Sequence, residues 1–221
     1  MLEVQNLSAW YGAAQALFGV SLRVGAGEMV VLEGLNGAGK STLLQSVIGL
    51  GPRTQGQVLF QGTPIESWPA HRRAQLGLGY VPEDRRLFAD LSVLDNLRVA
   101  ARVATPKDGQ VPITVAQRQE QVLELFPALR AMLKRRAAEM SGGEQQMLSI
   151  ARTLMTAPSL LLLDEPCEGI APLLVESIRD ALLALRKQGL ALLIAEQNAL
   201  LADHADRVIT LVAGQLSEPV A

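Results

Sequence analysis

Gly34-Leu35-Asn36-Gly37-Ala38-Gly39-Lys40-Ser41 decides how this chain is read. It fits the pattern G-x-x-x-x-G-K-[S/T], a glycine-rich turn whose backbone N–H groups converge on a phosphate without Cβ clashes. Met29 to Leu32, just before it, is a short apolar run and reads as a buried strand. Leu43-Leu44 and Val47-Ile48, just after it, fit a helix whose positive N-terminus faces the same anion. Asn36, Gly37, Ala38, Gly39 and Thr42 are therefore expected around the phosphates. Lys40 would reach the β- and γ-phosphates, and Ser41 would place its hydroxyl on Mg²⁺.

Working outward, Val4 and Leu7, then Leu17, Val20, Leu22 and Val24, alternate as half-buried strands. Tyr11-Gly12 and Gly25-Ala26-Gly27 are the turns between them. Gln57 to Gln61 and Leu78 to Val81 read as further strands, the second closed by Pro82. From Glu83 to Met140 the apolar runs vanish. Helical spacing appears in Val93-Leu97-Ala100-Ala101 and in Val122-Leu123-Leu125-Phe126, separated by a loop at Thr105 to Pro112. After Ser141 the strand–helix alternation returns. A helix is expected from Glu144 to Met155, strands at Leu160 to Leu163, Leu190 to Ala195 and Arg207 to Val212, and a helix over Pro172 to Lys187. That last helix is expected to bury Leu173, Leu174, Ile178, Ala181, Leu182 and Leu185 on one face. The whole predicts an α/β fold with a largely parallel sheet.

Composition narrows the function classes. Of 221 residues 49% are hydrophobic, which excludes a disordered chain. Lys plus Arg is 20 against 22 Asp plus Glu, so the net charge of −2 argues against nucleic acid as the main partner. Cys167 is the single cysteine, which excludes an internal disulfide framework and fits a reducing compartment. The opening residues show no secretory leader, and no apolar run approaches the length of a membrane span. Mean hydropathy is nevertheless +0.22, carried by Leu, Val and Ala, as buried parallel strands require.

Two more stretches carry chemistry. Leu160 to Leu163 ends in Asp164-Glu165, two carboxylates at the C-terminal end of a buried strand, where open α/β sheets bind ligands. Asp164 would hold Mg²⁺ through water, and Glu165 would polarise a water in line with the γ-phosphate. Ser141-Gly142-Gly143-Glu144 begins a helix. Ser141 with Glu144 three residues on makes a capping box, and the same geometry is an anion site. One nucleotide does not need two such sites in one chain, so the second would serve another chain.

These three motifs, in this order and around a helical insertion, resemble the ATP-binding subunits of ABC transporters over nearly the whole chain. The resemblance implies a P-loop NTPase core of the RecA-like kind, with an N-terminal antiparallel β subdomain and an inserted α-helical subdomain. Residues 1–82 and 141–221 would form the core, and 83–140 the insertion that contacts the membrane subunit. It also implies a sandwich in which each of two ATP molecules lies between one chain's phosphate loop and the other's Ser141 to Glu144. Tyr11 falls where an aromatic stacks on adenine. Glu83 takes the place of a Gln that touches Mg²⁺, and Gln197 that of a His near the γ-phosphate. Ala171 replaces an Asp found in many members, and Glu33 stands where an apolar or small residue is usual.

Val81 to Phe88, Met140 to Gln146, Glu168 to Pro172 and Ala195 to Asn198 together resemble one branch, the second ATPase subunit of branched-chain amino acid importers. Urea and short-amide importers are close to it. The branch implies a second ATPase subunit, a different chain in a heterodimer or else a second copy in a homodimer, with two membrane permease subunits and a periplasmic or extracellular solute-binding protein. It places the chain peripherally on the cytoplasmic face of the inner membrane. A soluble DNA-repair or translation ATPase would need two ATPase units or long coiled coils, and a P-loop kinase would not need Ser141-Gly142-Gly143.

Overall fold

The computed structural model describes residues 1–101, 113–197 and 199–217; the expected loop at Thr105 to Pro112 and Asn198 lie outside the described residues. Two sheets form. β1 (Leu2–Tyr11), β2 (Ala14–Val24), β4 (Arg53–Phe60) and β5 (Thr63–Pro64) make a four-stranded antiparallel sheet in the order β2-β1-β4-β5. β3 (Met29–Glu33), β6 (Leu78–Val81), β7 (Leu160–Asp164), β8 (Ala191–Ala195), β9 (Arg207–Val212) and β10 (Gln215–Ser217) make the second, in the order β10-β9-β3-β8-β7-β6. It is parallel except for the β9–β10 hairpin.

The strand period of two divides the core. Val30, Leu32, Leu160, Leu162, Ala191 and Leu193 point to one face, against α1 (Lys40–Ile48) and the antiparallel sheet. Met29, Val31, Leu161, Leu163, Leu192 and Ile194 point to the other. There they meet α5 (Gly142–Leu154) and α6 (Pro172–Lys187). Both faces are covered at β3, β7 and β8, whose residues are buried and apolar almost throughout, as central parallel strands require, whereas β9 and β10 at the edge are largely exposed.

α2 (Ala70–Leu76) leads into β6, and between β6 and α5 the chain forms α3 (Val93–Ala101), α4 (Val115–Leu125) and two 3-10 turns. Val93, Leu97, Val122, Leu123 and Phe126 from this stretch join the same core as α5. α4 starts on a capping box of Thr114 and Gln117, and α5 on the expected one of Ser141 and Glu144.

Two differences from the sequence reading have clear causes. β4 begins at Arg53 rather than Gln57, because Arg53 to Gln55 pair with β1 while alternating exposed and half-buried, so no apolar run marks them. Leu173 is 74% exposed rather than buried with its neighbours on α6. Val175, Ile178, Ala181, Leu182 and Leu185 form the buried stripe. Leu173 lies one turn before Ser177 on the outer face, where the Ser177 hydroxyl donates to its carbonyl.

Four parallel strands end on one side. β3 runs into the loop at Gly34, β6 into Glu83, β7 into Glu165 and β8 into Glu196 and Gln197. α7 (Ala199–Ala202) follows β8.

Candidate nucleotide site

The loop Gly34 to Gly39 closes on α1 through a left-handed glycine. Gly39, the N-cap, has φ of 106°, and a Cβ there would lie 3.0 Å from Leu17 and 3.3 Å from the Ala16 carbonyl. Only glycine combines that backbone with that approach. The β9–β10 hairpin braces the loop from outside, with the Gly214 N–H donating to the Ala38 carbonyl at 2.9 Å.

Lys40 is almost wholly buried and heavily partnered. Its Nζ donates to the Gly34 carbonyl at 2.6 Å and the Leu35 carbonyl at 3.3 Å, and pairs with Glu165 Oε1 at 2.9 Å. The loop folds its own cation inward, and a carboxylate holds it there. Ser41 Oγ donates to Asp164 Oδ1 at 2.9 Å, and the Tyr80 hydroxyl to Asp164 Oδ2 at 3.2 Å. Burial pushes the Asp164 carboxyl above its ordinary value, against these two hydrogen bonds; the charges of Glu83 and Glu165 push the same way. Tyr80 is itself raised, by burial first and then by the Asp164 charge. Sequence reasoning missed Tyr80, since the β6–β7 pairing that brings it to Asp164 depends on sheet order.

These groups open on a cleft of about 550 Å³. Lys40, Ser41, Thr42, Glu83 and Glu165 line one side, and Ala16 and Phe18 on β2 face them. Asn36, Gly37 and Gly39 line it too, whereas Ala38, nearly buried, lines the second cleft described below. Tyr11 is not among the lining residues. It is half exposed at the end of β1, and its hydroxyl donates to Gln45 Oε1 on α1 at 3.1 Å. Gln197 is exposed and lines a second cleft with Glu33, Leu35, Asn36, Leu211 and Val212, on the other side of the loop. The structure does not bring Gln197 into one cleft with Glu165.

The donors around Ser41 are all oxygens: a hydroxyl, the Asp164 carboxylate beside it and Glu83 on the same cleft wall. That set suits a hard cation. Mg²⁺ takes few protein ligands and completes its shell with phosphate oxygens and water. Among the described residues no three or more His, Cys, Asp or Glu gather into a metal cage.

Ser141, Gly142, Gly143 and Glu144 lie at the start of α5 and outside this cleft. The Ser141 N–H donates to Glu144 Oε2 at 2.7 Å, and the Glu144 N–H to Ser141 Oγ at 3.4 Å. Gly143 has a packing reason as well, since a Cβ there would sit 2.4 Å from Leu174 on α6. The Arg85 guanidinium would be 3.3 Å from a Cβ on Gly142. Arg85 donates to Gln145 and Gln146, while Ser149 and Arg152 donate to its carbonyl. α5 thus grips the segment after Glu83, which turns through left-handed φ at Arg85 and Arg86. In the sequence these arginines read only as a basic pair.

Cys167 is buried. Its thiol is pushed up to about 12, first by burial and then by the charge of Glu196. A thiol so protonated is a poor nucleophile, which supports a small buried filler.

The comparisons agree with this geometry. The family model described as ABC transporter matches residues 17–168. The branched-chain amino acid transport ATP-binding protein BraG of Pseudomonas aeruginosa is 41% identical over 98% of this chain and 91% of its own length. The probable branched-chain amino acid transport ATP-binding protein LivF of Archaeoglobus fulgidus is 38% identical over 98% of this chain and 90% of its own. A nucleotide-free ATP-binding cassette from an ABC transporter superposes with a TM-score of 0.85 at 27% identity, over 99% of this chain and 90% of that one. The lipopolysaccharide export ATP-binding protein LptB of Haemophilus influenzae is 36% identical over 90% of this chain and 80% of its own. With the phosphate loop, the Asp164-Glu165 strand end and the Ser141 helix start in place on this fold, the chain belongs to the ATP-binding, ATP-hydrolysing subunits of ABC transporters.

Proposed function

We propose that this chain drives the uptake of branched-chain amino acids as one of two ATPase subunits on the cytoplasmic face of the inner membrane. The observation that carries this reading is the match to BraG and LivF along 98% of the chain. The motor would work with a second, different ATPase subunit, two permease subunits and a solute-binding protein.

The site supports the following roles. Lys40 exchanges Glu165 for the β- and γ-phosphates when ATP enters, and the freed Glu165 carboxylate orients the attacking water. Ser41 and Asp164, with Glu83, hold Mg²⁺, which neutralises phosphate charge when bound. The family resemblance assigns Tyr11 to the adenine and Gln197 to the γ-phosphate; neither lines the Lys40 cleft in this structure, so both roles would require movement on nucleotide binding or closure. Asn36, Gly37, Ala38, Gly39 and Thr42 complete the phosphate cradle. Ser141, Gly142, Gly143 and Glu144 act on the ATP held by the other subunit. Leu35 and Leu173, 75% and 74% exposed, are the apolar surface such a sandwich would cover.

Residues 83–140 form the inserted subdomain of this reading, against a core of 1–82 and 141–221. A mostly apolar groove of about 330 Å³, lined by Ile48, Leu50, Ala74, Tyr80 and Ala100 with Arg152, suits docking of a membrane-subunit helix. ATP-driven closure would then carry that helix with it.

The test is reconstitution with permease and solute-binding subunits of a branched-chain amino acid importer. ATP-dependent uptake of labelled leucine or valine into proteoliposomes is expected. Uptake of urea or a short amide instead would move the motor to that importer branch, and no uptake of any solute would overturn the reading.

A further inference from the structure

Glu196 is a buried carboxylate that none of these roles uses. It follows β8, beside the end of β7 that carries Asp164 and Glu165, and is 2% exposed. Its Oε2 accepts the Cys167 N–H at 3.3 Å, and its Oε1 accepts the Gln197 N–H at 3.0 Å. The Glu196 charge also helps to raise the Cys167 thiol. An ionised carboxylate only accepts, so the two backbone N–H donors suit its charge.

The tied residues matter because of what they flank. Cys167 lies two residues beyond Glu165, in a turn closed by the Glu168 N–H on the Glu165 carbonyl at 3.3 Å. Glu165 enters that turn at a left-handed φ of 46°. Such a backbone is strained for a non-glycine residue and persists only where neighbours over-determine it. One tie is the Glu165 N–H on the Ala195 carbonyl at 2.9 Å. The Lys40–Glu165 ion pair is a second. Glu196 supplies a third, gripping the far side of the turn and Gln197 at once.

We propose that Glu196 is a positioning residue for hydrolysis, whose carboxylate locks the Glu165 turn and the Gln197 backbone to the ends of β7 and β8. The inference rests on Glu165 as the group that orients water. Displacing that carboxylate by a fraction of an ångström would slow the chemical step and leave Lys40 and the phosphate loop as they are.

Steady-state hydrolysis by the chain in complex with its co-expressed membrane subunits tests this. Glu196→Ala is expected to lower kcat about tenfold or more, with KM for ATP within about twofold. Glu196→Gln keeps the shape and one acceptor but turns an N–H donor toward another, so its kcat should fall in between, about threefold down. Wild-type kcat in Glu196→Ala overturns the proposal. So does a fall in kcat with a matching rise in KM, which would mark collapse of the whole site. If Glu196→Ala does not fold, Glu196→Gln decides: unchanged kcat overturns the proposal, and lower kcat at constant KM supports it. Full hydrolysis in Glu165→Gln would instead remove the role of Glu165 itself, and is read separately.

Discussion

Two glycine-rich helix starts in this chain look alike in sequence and differ in charge. At α1 the loop brings its own cation, Lys40, folded inward among carbonyls and Glu165. At α5 the first turn brings its own anion, Glu144, which occupies the Ser141 N–H at 2.7 Å. On the proposed reading the first would bind phosphate unaided, because Lys40, once released from Glu165, offsets the charge that the helix dipole cannot. The second would meet an arriving phosphate with a carboxylate already at its mouth. Its anion site would become useful only where another chain's phosphate loop has neutralised most of the charge. A short surplus motif thus points to assembly, and its location outside the Lys40 cleft fits that use.

The largest effect should come from breaking the chemistry of the first start. Glu165→Gln should lower hydrolysis by about 10²- to 10⁴-fold, the usual contribution of a general base. ATP binding should persist, since the amide no longer pairs with Lys40. Hydrolysis rates beside an equilibrium ATP titration check both halves. Ser141→Arg comes next and strikes the second start. Hydrolysis in the assembled complex should fall about a hundredfold, on the scale of losing an oxyanion donor, while ATP titration of the lone chain stays unchanged. Equal loss in both assays would mean that the two starts are one site, and the contrast would fail. Lys40→Ala is third. Losing a charged hydrogen-bond donor to phosphate should weaken ATP binding about 10- to 100-fold.

The sequence made some of this plain and hid the rest for physical reasons. The phosphate loop, β7 and the start of α5 were legible because each joins a special residue pattern to an apolar run of definite period. The beginning of β4 was hidden because Arg53, Thr54 and Gln55 pair with β1 on a face that needs no apolar residue. Leu173 misled because helix periodicity is blurred at the first turn, where the chain has only begun to turn its stripe inward. Long-range partners were out of reach. Tyr80 meets Asp164 only through the order of the strands, and Arg85 meets α5 only through the left-handed turn after Glu83. Glu196 was visible as a neighbour of Gln197, but nothing along the chain marked Cys167 as its partner.

The smallest effect tests the charge contrast without nucleotide. Asp164 is a buried acid beside Glu83 and Glu165, with its carboxyl raised above the ordinary value. The sign follows from proton counting. In the window between the unfolded and the folded values, the folded chain holds the proton more often, so stability falls as pH rises through it. Above the folded value the charged form opposes folding in full. Asp164→Asn removes that charge and keeps an acceptor for Ser41, so the nucleotide-free variant should melt about 2 °C higher at neutral pH. The gap should close as pH falls toward the ordinary aspartate value, because wild type is then protonated too. Mg²⁺-ATP should reverse the order, raising the melting point of wild type more than that of Asp164→Asn, as a metal-holding carboxylate demands. A variant that melts lower at every pH would mean that the Ser41 and Tyr80 hydrogen bonds outweigh burial. The first start would then be balanced before any cation arrives, and its difference from the second would reduce to Lys40 alone.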